Sequence, residues 1–443
     1  MTIPLYTLTA LLGLLFPVGV VLWAAGLGRP KDAAVFGPYL FIALALGIVG
    51  FFAEGFALAF GGVAGLYPAL GELTVLHGQW TPLAGPLGPG WVLAGGSGFF
   101  LAVGDDAGAY ALFTFHAAVL LAFLSIITAS WAGRVRPLAF TVLVVIFAWL
   151  IYPLAASWAW GGGWLAALGH TRGLGHGFID PGGAGVVQLM AGAVVLGGSL
   201  LWGRLPKPAT LATGRDGADA ELPPLALAGA LTMGMGWLAL LAGDALLVGA
   251  SLPQVLVNAV TSAGWATATA MGYMGFTTGR ADGAMAARGM LAGIFAASAA
   301  AAFVSPPAAA LIGAVAGLLV CLSTYAVAHS LRLDDPLHAV AVHGVSGLWG
   351  LVALGLFAEG RTGAGWNGVG LREYLGGVGQ GVTGLLPAAG FVADPAQLVA
   401  QLVGAGVLVT WALTPALVLV KVVQRWANAR EAVSLASHDE GAA

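Results

Sequence analysis

Long apolar runs, broken by short polar or glycine-rich stretches, recur along the chain at roughly 6–27, 36–60, 108–132, 138–160, 183–203, 224–249, 254–275, 284–304, 307–330, 338–358 and 396–422. At about 1.5 Å of rise per residue, each run spans much or all of the roughly 30 Å hydrocarbon core of a bilayer as a helix. The pattern predicts an all-α polytopic membrane protein with eleven transmembrane helices. Two runs carry a matching polar mark. Asp180-Pro181 precedes the fifth and Asp335-Pro336 the tenth, and a polar residue follows each Asp by eight positions, Gln188 in one and His343 in the other. An Asp accepts the orphan N–H groups of a helix start and Pro has none to lose, so each pair predicts an N-cap and a first-turn residue. Eight residues is about 12 Å of helix. Entered from opposite faces, two such helices bring Gln188 and His343 to similar depth near the midplane.

The charges decide the faces. Arg29, Lys31, Arg134, Arg136, Arg204, Lys207, Arg215, Arg280, Arg288, Arg332, Lys421, Arg425 and Arg430 fall on one side of the eleven-span layout, and Arg172, Arg361 and Arg372 on the other. The basic side is cytoplasmic, so the N-terminus is expected outside and the C-terminus inside. The fifth helix then starts outside and the tenth inside, which predicts an inverted five-plus-five helix repeat with an extra C-terminal helix. The boundaries follow: a first half at 1–206, a cytoplasmic linker at 207–223 and a second half at 224–358. An extracytoplasmic loop at 359–395, the eleventh helix at 396–424 and a cytoplasmic tail at 425–443 complete the chain. Residues 1–27 lack a basic leader and are followed by Arg29 and Lys31, which favours a first span over a cleaved signal peptide. Segment 61–107 and the loop 359–395 are glycine-rich and read as extracytoplasmic caps.

Composition agrees. Of 443 residues, 59% are hydrophobic and 8% charged, too few charges to cover a soluble domain. The 70 glycines suit helices packed closely through small residues, for example Gly313 with Gly317 one turn on. A single cysteine, Cys321, excludes a disulfide framework and a cysteine-ligated metal. The sequence offers no metal-ligand cluster, phosphate loop or nucleophilic triad, so an enzyme, a bound cofactor and a nucleic-acid partner are not expected.

The run Asp334-Asp335-Pro336…His343-Gly344-Val345-Ser346-Gly347-Leu348-Trp349-Gly350 resembles the segment around the second pore histidine of ammonium transporters, the Amt/Mep/Rh family. Trp160-Gly161-Gly162-Gly163, Asp180…Gln188, Gly236-Trp237 and Gly289-Met290-Leu291-Ala292-Gly293 match further stations of that family in order. The resemblance runs from the first span to the tail. It implies ammonium or methylammonium as substrate and a plasma-membrane homotrimer with one pore per protomer. It also implies a PII-type regulator as a partner for the cytoplasmic tail.

Carried over by position, His343 matches the inner member of the family's histidine pair, and Gln188 stands at the outer member's position. Trp160 corresponds to a wall of the outer cation site, where an aromatic face attracts a cation. Asp244 takes the place of a serine there. Val119 and Leu240 stand where the family has two gating phenylalanines, with Phe115 one turn earlier. An imidazole titrates near neutrality and can relay a proton, whereas a carboxamide only forms hydrogen bonds. The smaller gate residues predict a wetter outer gate unless a side chain such as Phe115 refills it.

Each of these residues also has a plainer reading. His343 and His116 could be packing histidines, and Gln188 an interhelical hydrogen bond. Asp180 and Asp335 read as helix caps. Asp244 and Glu54 are intramembrane acids, which are functional by default, unless their spans end early and leave them solvated. His170 and His176, with Arg172, are expected to be solvated in an outer loop. Two functional readings stay open: a transporter or channel for ammonium, and a conduction-impaired ammonium-binding sensor. A pore for another small molecule is a third.

Overall fold

The computed structural model describes residues 2–27, 30–84, 90–201, 223–335 and 337–440. Most of the expected linker and Pro336 lie outside the described residues. The helices, in chain order, are α1 (Thr2–Leu27), α2 (Val35–Phe60), α3 (Ala107–Trp131), α4 (Pro137–Ala159), α5 (Ala184–Leu201), α6 (Pro224–Leu247), α7 (Leu252–Thr278), α8 (Gly283–Ala300), α9 (Pro306–Ser330), α10 (Val340–Phe357) and α11, whose membrane-length part is Pro395–Val423. Ten of them are long and apolar enough to cross a membrane.

The one that falls short is α7, 27 residues long but less apolar. Its polar side chains are consumed by its neighbours. Asn258 donates to the carbonyls of Ala301 (2.8 Å) and Val304 (2.7 Å), and the Ser262 hydroxyl donates to Gly293 (2.8 Å). Gly313 and Gly317 of α9 lie directly against the backbone of Ser262 and Ala266. Small residues thus let α7, α8 and α9 close on one another where polar groups need partners.

Breaks in the helices have local causes. In α1 the regular bonding lapses at Leu14, three residues before Pro17, whose ring lacks an N–H and crowds the carbonyl four residues back. The sequence places Asp180-Pro181 at the first turn of α5, but the helix starts later. Pro181 and Gly182 form a turn, Gly183 adopts φ +71°, and α5 begins at Ala184. Asp180 still caps it from outside, accepting the N–H groups of Gly185 and Val186 at 2.9 Å each. Asp335 caps α10 likewise, from Ala339 (2.9 Å) and Val340 (2.8 Å). Both helices then open with a six-residue π-helical turn, Ala184–Leu189 and Val340–Val345, followed by twelve α-helical residues. Gln188 and His343 sit inside those π turns.

These two helices cross through glycine at equivalent stations. Gly192 lies four residues past Gln188 and its α-carbon faces Gly344; Gly347 lies four past His343 and faces Ala184 and Gln188. Outside the bundle, β1 (Gln79–Trp80) pairs with β2 (Ala94–Gly95) and β3 (Glu373–Tyr374) with β4 (Gly377–Val378), one small hairpin in each predicted outer cap. At the opposite end Arg134 bridges Asp334 (2.7 Å) and donates to its carbonyl, which also accepts Ser199. Helix α11 continues to Glu440 as one 46-residue helix, so the expected polar tail is helical.

The Gly192 contact generates a stability prediction. A Cβ there would sit 2.3 Å from the Gly344 α-carbon, so Gly192→Ala must part the two backbones at an expected cost of about 1–3 kcal/mol. Gly264→Ala, with nothing within 4 Å, is expected to be neutral. Thermal melting of the two variants in detergent should show a clear drop for the first alone.

Candidate functional site

Several functional candidates line one of two cavities. A vestibule of about 740 Å³ is lined by Trp160, Asp244, His116, Asp180 and residues of both predicted outer caps, among them Tyr67 and Trp366. A void of about 10 Å³, enough for roughly one water, is lined by His343, Trp23 and Met233. Between the two lies packed side chain.

Trp160 is fixed through both its side chain and its backbone. The indole N–H donates to the Asp180 carbonyl at 2.6 Å, and the Trp160 backbone carbonyl accepts the Tyr67 hydroxyl at 2.5 Å. Asp244 opens onto the same vestibule, and among the described residues no Lys or Arg pairs with its carboxylate. Asp180 is 2% exposed. Burial pushes its carboxyl up to about 7, against the pull of the Val186, Gly185 and Ala184 N–H groups. One of its oxygens caps α5, and the other, Oδ1, has no hydrogen-bond partner among the described residues. Burial likewise pushes Asp335 up to about 6, with the Val340 and Ala339 N–H groups and Arg134 opposing.

At the crossing of α5 and α10, His343 Nδ1 and Gln188 Oε1 are 2.5 Å apart. A carboxamide oxygen only accepts, so this contact puts the proton on Nδ1 and leaves Nε2 as the acceptor nitrogen. Both side chains are buried, Gln188 completely. The imidazole stacks on Phe295 (centroids 4.9 Å, 25°) and meets the edge of Phe16 at 6.4 Å. Phe16 packs on Trp237, whose indole donates to Ser298 at 2.9 Å. Gln188 Nε2 has no partner among the described residues.

The gate candidates lie in the packed stretch. Val119, Leu240 and Phe115 are all buried and line neither cavity. Phe115 stacks on Tyr6 at 4.6 Å and fills the space over Gly243, while Leu240 packs over Gly13. The volume lost with smaller residues at 119 and 240 is therefore not open space. Glu54 lies in a π-helical turn of α2, partly exposed, and lines neither cavity.

One expectation is overturned. His170 and Arg172 are exposed, but His176 is fully buried. Its backbone N–H donates to Gln397 (2.8 Å), its carbonyl accepts Asn367 (2.8 Å), and its ring lies 4.4 Å from Tyr374. The loop that carries it is tucked under the second outer cap and α11, where Gln401 also pairs with both backbone groups of Ile179. Burial lowers the His176 imidazole to about 4. Sequence reasoning also missed Tyr67, Phe16 and Phe295. Phe295 lies two residues past the Gly289–Gly293 run, which is the one signal that pointed near it.

The chain matches the Ammonium Transporter Family over residues 5–437. It is 31% identical to ammonium transporter Amt2 of Archaeoglobus fulgidus over 78% of this chain and 69% of that protein. Amt1 of the same organism is 27% identical over 94% of this chain and 90% of its own length. Among solved structures, a sensor Amt protein superposes with a TM-score of 0.73 at 22% identity, covering 96% of this chain and 93% of that one. Mep2 of Candida albicans gives 0.72 at 19% identity, over 96% and 84%. With residues 5–437 matched by the family and its fold shared with Amt and Mep structures, the chain belongs to the ammonium transporter family.

Proposed function

We infer that the protein carries ammonium across a cell membrane through a pore in each protomer. The observation that carries this reading is the 2.5 Å contact of His343 with Gln188. It stands between an outer vestibule holding two acids and an aromatic wall and an inner void beside the imidazole. A cation is drawn to the vestibule by the Asp244 carboxylate and held on the face of Trp160. Moving a bare cation farther through buried apolar side chains is costly, so the substrate passes the gate region of Phe115, Val119 and Leu240 as ammonia. His343 then offers an acceptor nitrogen, and Gln188 holds that tautomer without titrating. Methylammonium fits the same description. A sensor binds ammonium without moving it, so uptake of a labelled amine into vesicles separates that reading from transport.

Family membership and the basic-residue layout support a homotrimer in the plasma membrane, N-terminus outside and C-terminus cytoplasmic. A PII-type regulator would meet the cytoplasmic end of α11. Crosslinking in native membranes and pull-down with such a regulator test these two assignments.

Two outcomes are expected at the site. Asp244→Ser should weaken apparent ammonium binding several-fold and change competition by sodium and potassium; uptake titrations that match the unsubstituted protein on both counts would remove Asp244 from the site. At the midplane, His343→Ala should abolish ammonium uptake in proteoliposomes, Gln188→Ala should retain part of it, and Gln188→His should add a proton-coupled current. Full uptake by His343→Ala would sink the role assigned to that imidazole.

A further inference from the structure

The vestibule contains a titratable group that the passage through Gln188 and His343 does not use. His116, on α3, is 2% exposed and lines the vestibule with Trp160, Asp180 and Asp244. Its ring tilts against Phe60 (4.1 Å, 34°) and Trp160 (5.4 Å, 40°) and meets Phe115 edge-on (5.2 Å, 88°). Neither ring nitrogen has a hydrogen-bond partner among the described residues. A buried imidazole normally satisfies at least one nitrogen, because leaving both unmet costs the full desolvation of each. Apolar packing could be had from Phe or Leu without that cost. The ring is therefore held rigidly at the vestibule wall with its hydrogen-bonding capacity reserved for something that enters.

We propose that His116 is the group that accepts the proton of incoming ammonium. The inference rests on ammonium entering this vestibule, as argued above. In the step, one N–H bond of ammonium breaks and its proton binds the lone pair of a His116 ring nitrogen. The bonding pair stays behind as the lone pair of ammonia. Positive charge passes from the substrate to the imidazolium, in a vestibule that already holds the Asp244 and Asp180 carboxyls. Ammonia continues inward, and the imidazolium returns its proton to vestibule water on the outer side. The cycle moves ammonia and no net charge. A non-titrating Gln188 is then no handicap, because the proton never reaches the midplane.

The titratable groups on the elements around His116 are Tyr6 on α1, Tyr39 and Glu54 on α2, Tyr67, Glu72, His77, Asp105 and Asp106 in the first outer cap, Tyr110 on α3 itself, Tyr152 on α4, Asp180 before α5 and Asp244 on α6. Asp180 titrates near neutrality itself. The part of a pH profile that belongs to His116 is accordingly the part lost on its substitution with all of these intact.

The test uses the full chain in proteoliposomes, with inward ammonium gradients read by internal pH and by current. Wild-type protein should alkalinise the interior at a rate that rises with pH, with no sustained current. His116→Gln keeps a hydrogen-bonding group without titration and should lower the rate at least tenfold and flatten that rise. His116→Phe keeps the ring packing, as a melting curve would verify, and should fall to the protein-free rate. Wild-type rate and pH profile in His116→Gln would overturn the proposal, as would a sustained current in the wild type. A second measurement stands apart from flux: in protein labelled with 15N-histidine, ammonium should shift one imidazole resonance, the one missing from His116→Gln. Absence of that shift overturns the proposal whether or not flux is seen, whereas absence of wild-type flux overturns the transport reading itself.

Discussion

A helix that begins below the surface of a membrane protein leaves N–H groups that no water can reach, and the arrangement at α5 and α10 follows from that constraint. Asp180 and Asp335 each bring a buried carboxylate to the start of one helix and accept two of its orphan N–H groups. The helices can therefore start deep, pointing in opposite directions. The π turn that follows each cap carries one polar side chain inward, and the glycine four residues later lets the partner helix approach. The short contact of His343 with Gln188 is the sum of these local choices.

The same constraint organises the periphery. The last part of the loop between α4 and α5, around His176–Ile179, is buried beneath the second outer cap, so its backbone must be paired. Gln397 and Gln401 of α11 do this with both ends of their carboxamides, and Asn367 adds a third donor. These contacts tie α11 to the mouth of the vestibule and hold Asp180 and Trp160 in place through a short stretch of chain. The mouth of the vestibule and the outer cap thus share residues.

Charge and polarity are distributed unevenly along the passage. The acids gather outside, at Asp244 and Asp180, while the middle is packed with Phe16, Phe115, Trp237, Leu240 and Phe295. In the proposed cycle the dry middle would penalise a cation and the acidic mouth would attract one, which places the change of protonation where the two meet. His116 and Trp160 lie on that boundary.

The sequence by itself determined the elements whose causes are local. Apolar run length set the helices, the Asp-Pro marks set the two capped starts, and the eight-residue spacing put Gln188 and His343 at matching depth. It did so without fixing the turn by which Asp180 and Pro181 precede α5, because Gly183 lies there against Trp160 and Trp237, which distant segments supply. Tertiary structure alone decided where the loops went and which side chains fill space. His176 looked solvated because it sits in an outer loop, yet residues 190 or more positions away cover it. The replacement of gate phenylalanines looked like a widening, yet Phe115 and Tyr6, from different helices, share the volume with Leu240. His116 was indistinguishable from a packing histidine, since a lack of partners is a property of everything around a side chain. Local hydrogen bonding and apolar periodicity are written within a few turns of the chain, whereas burial and unmet polarity arise only when distant segments meet.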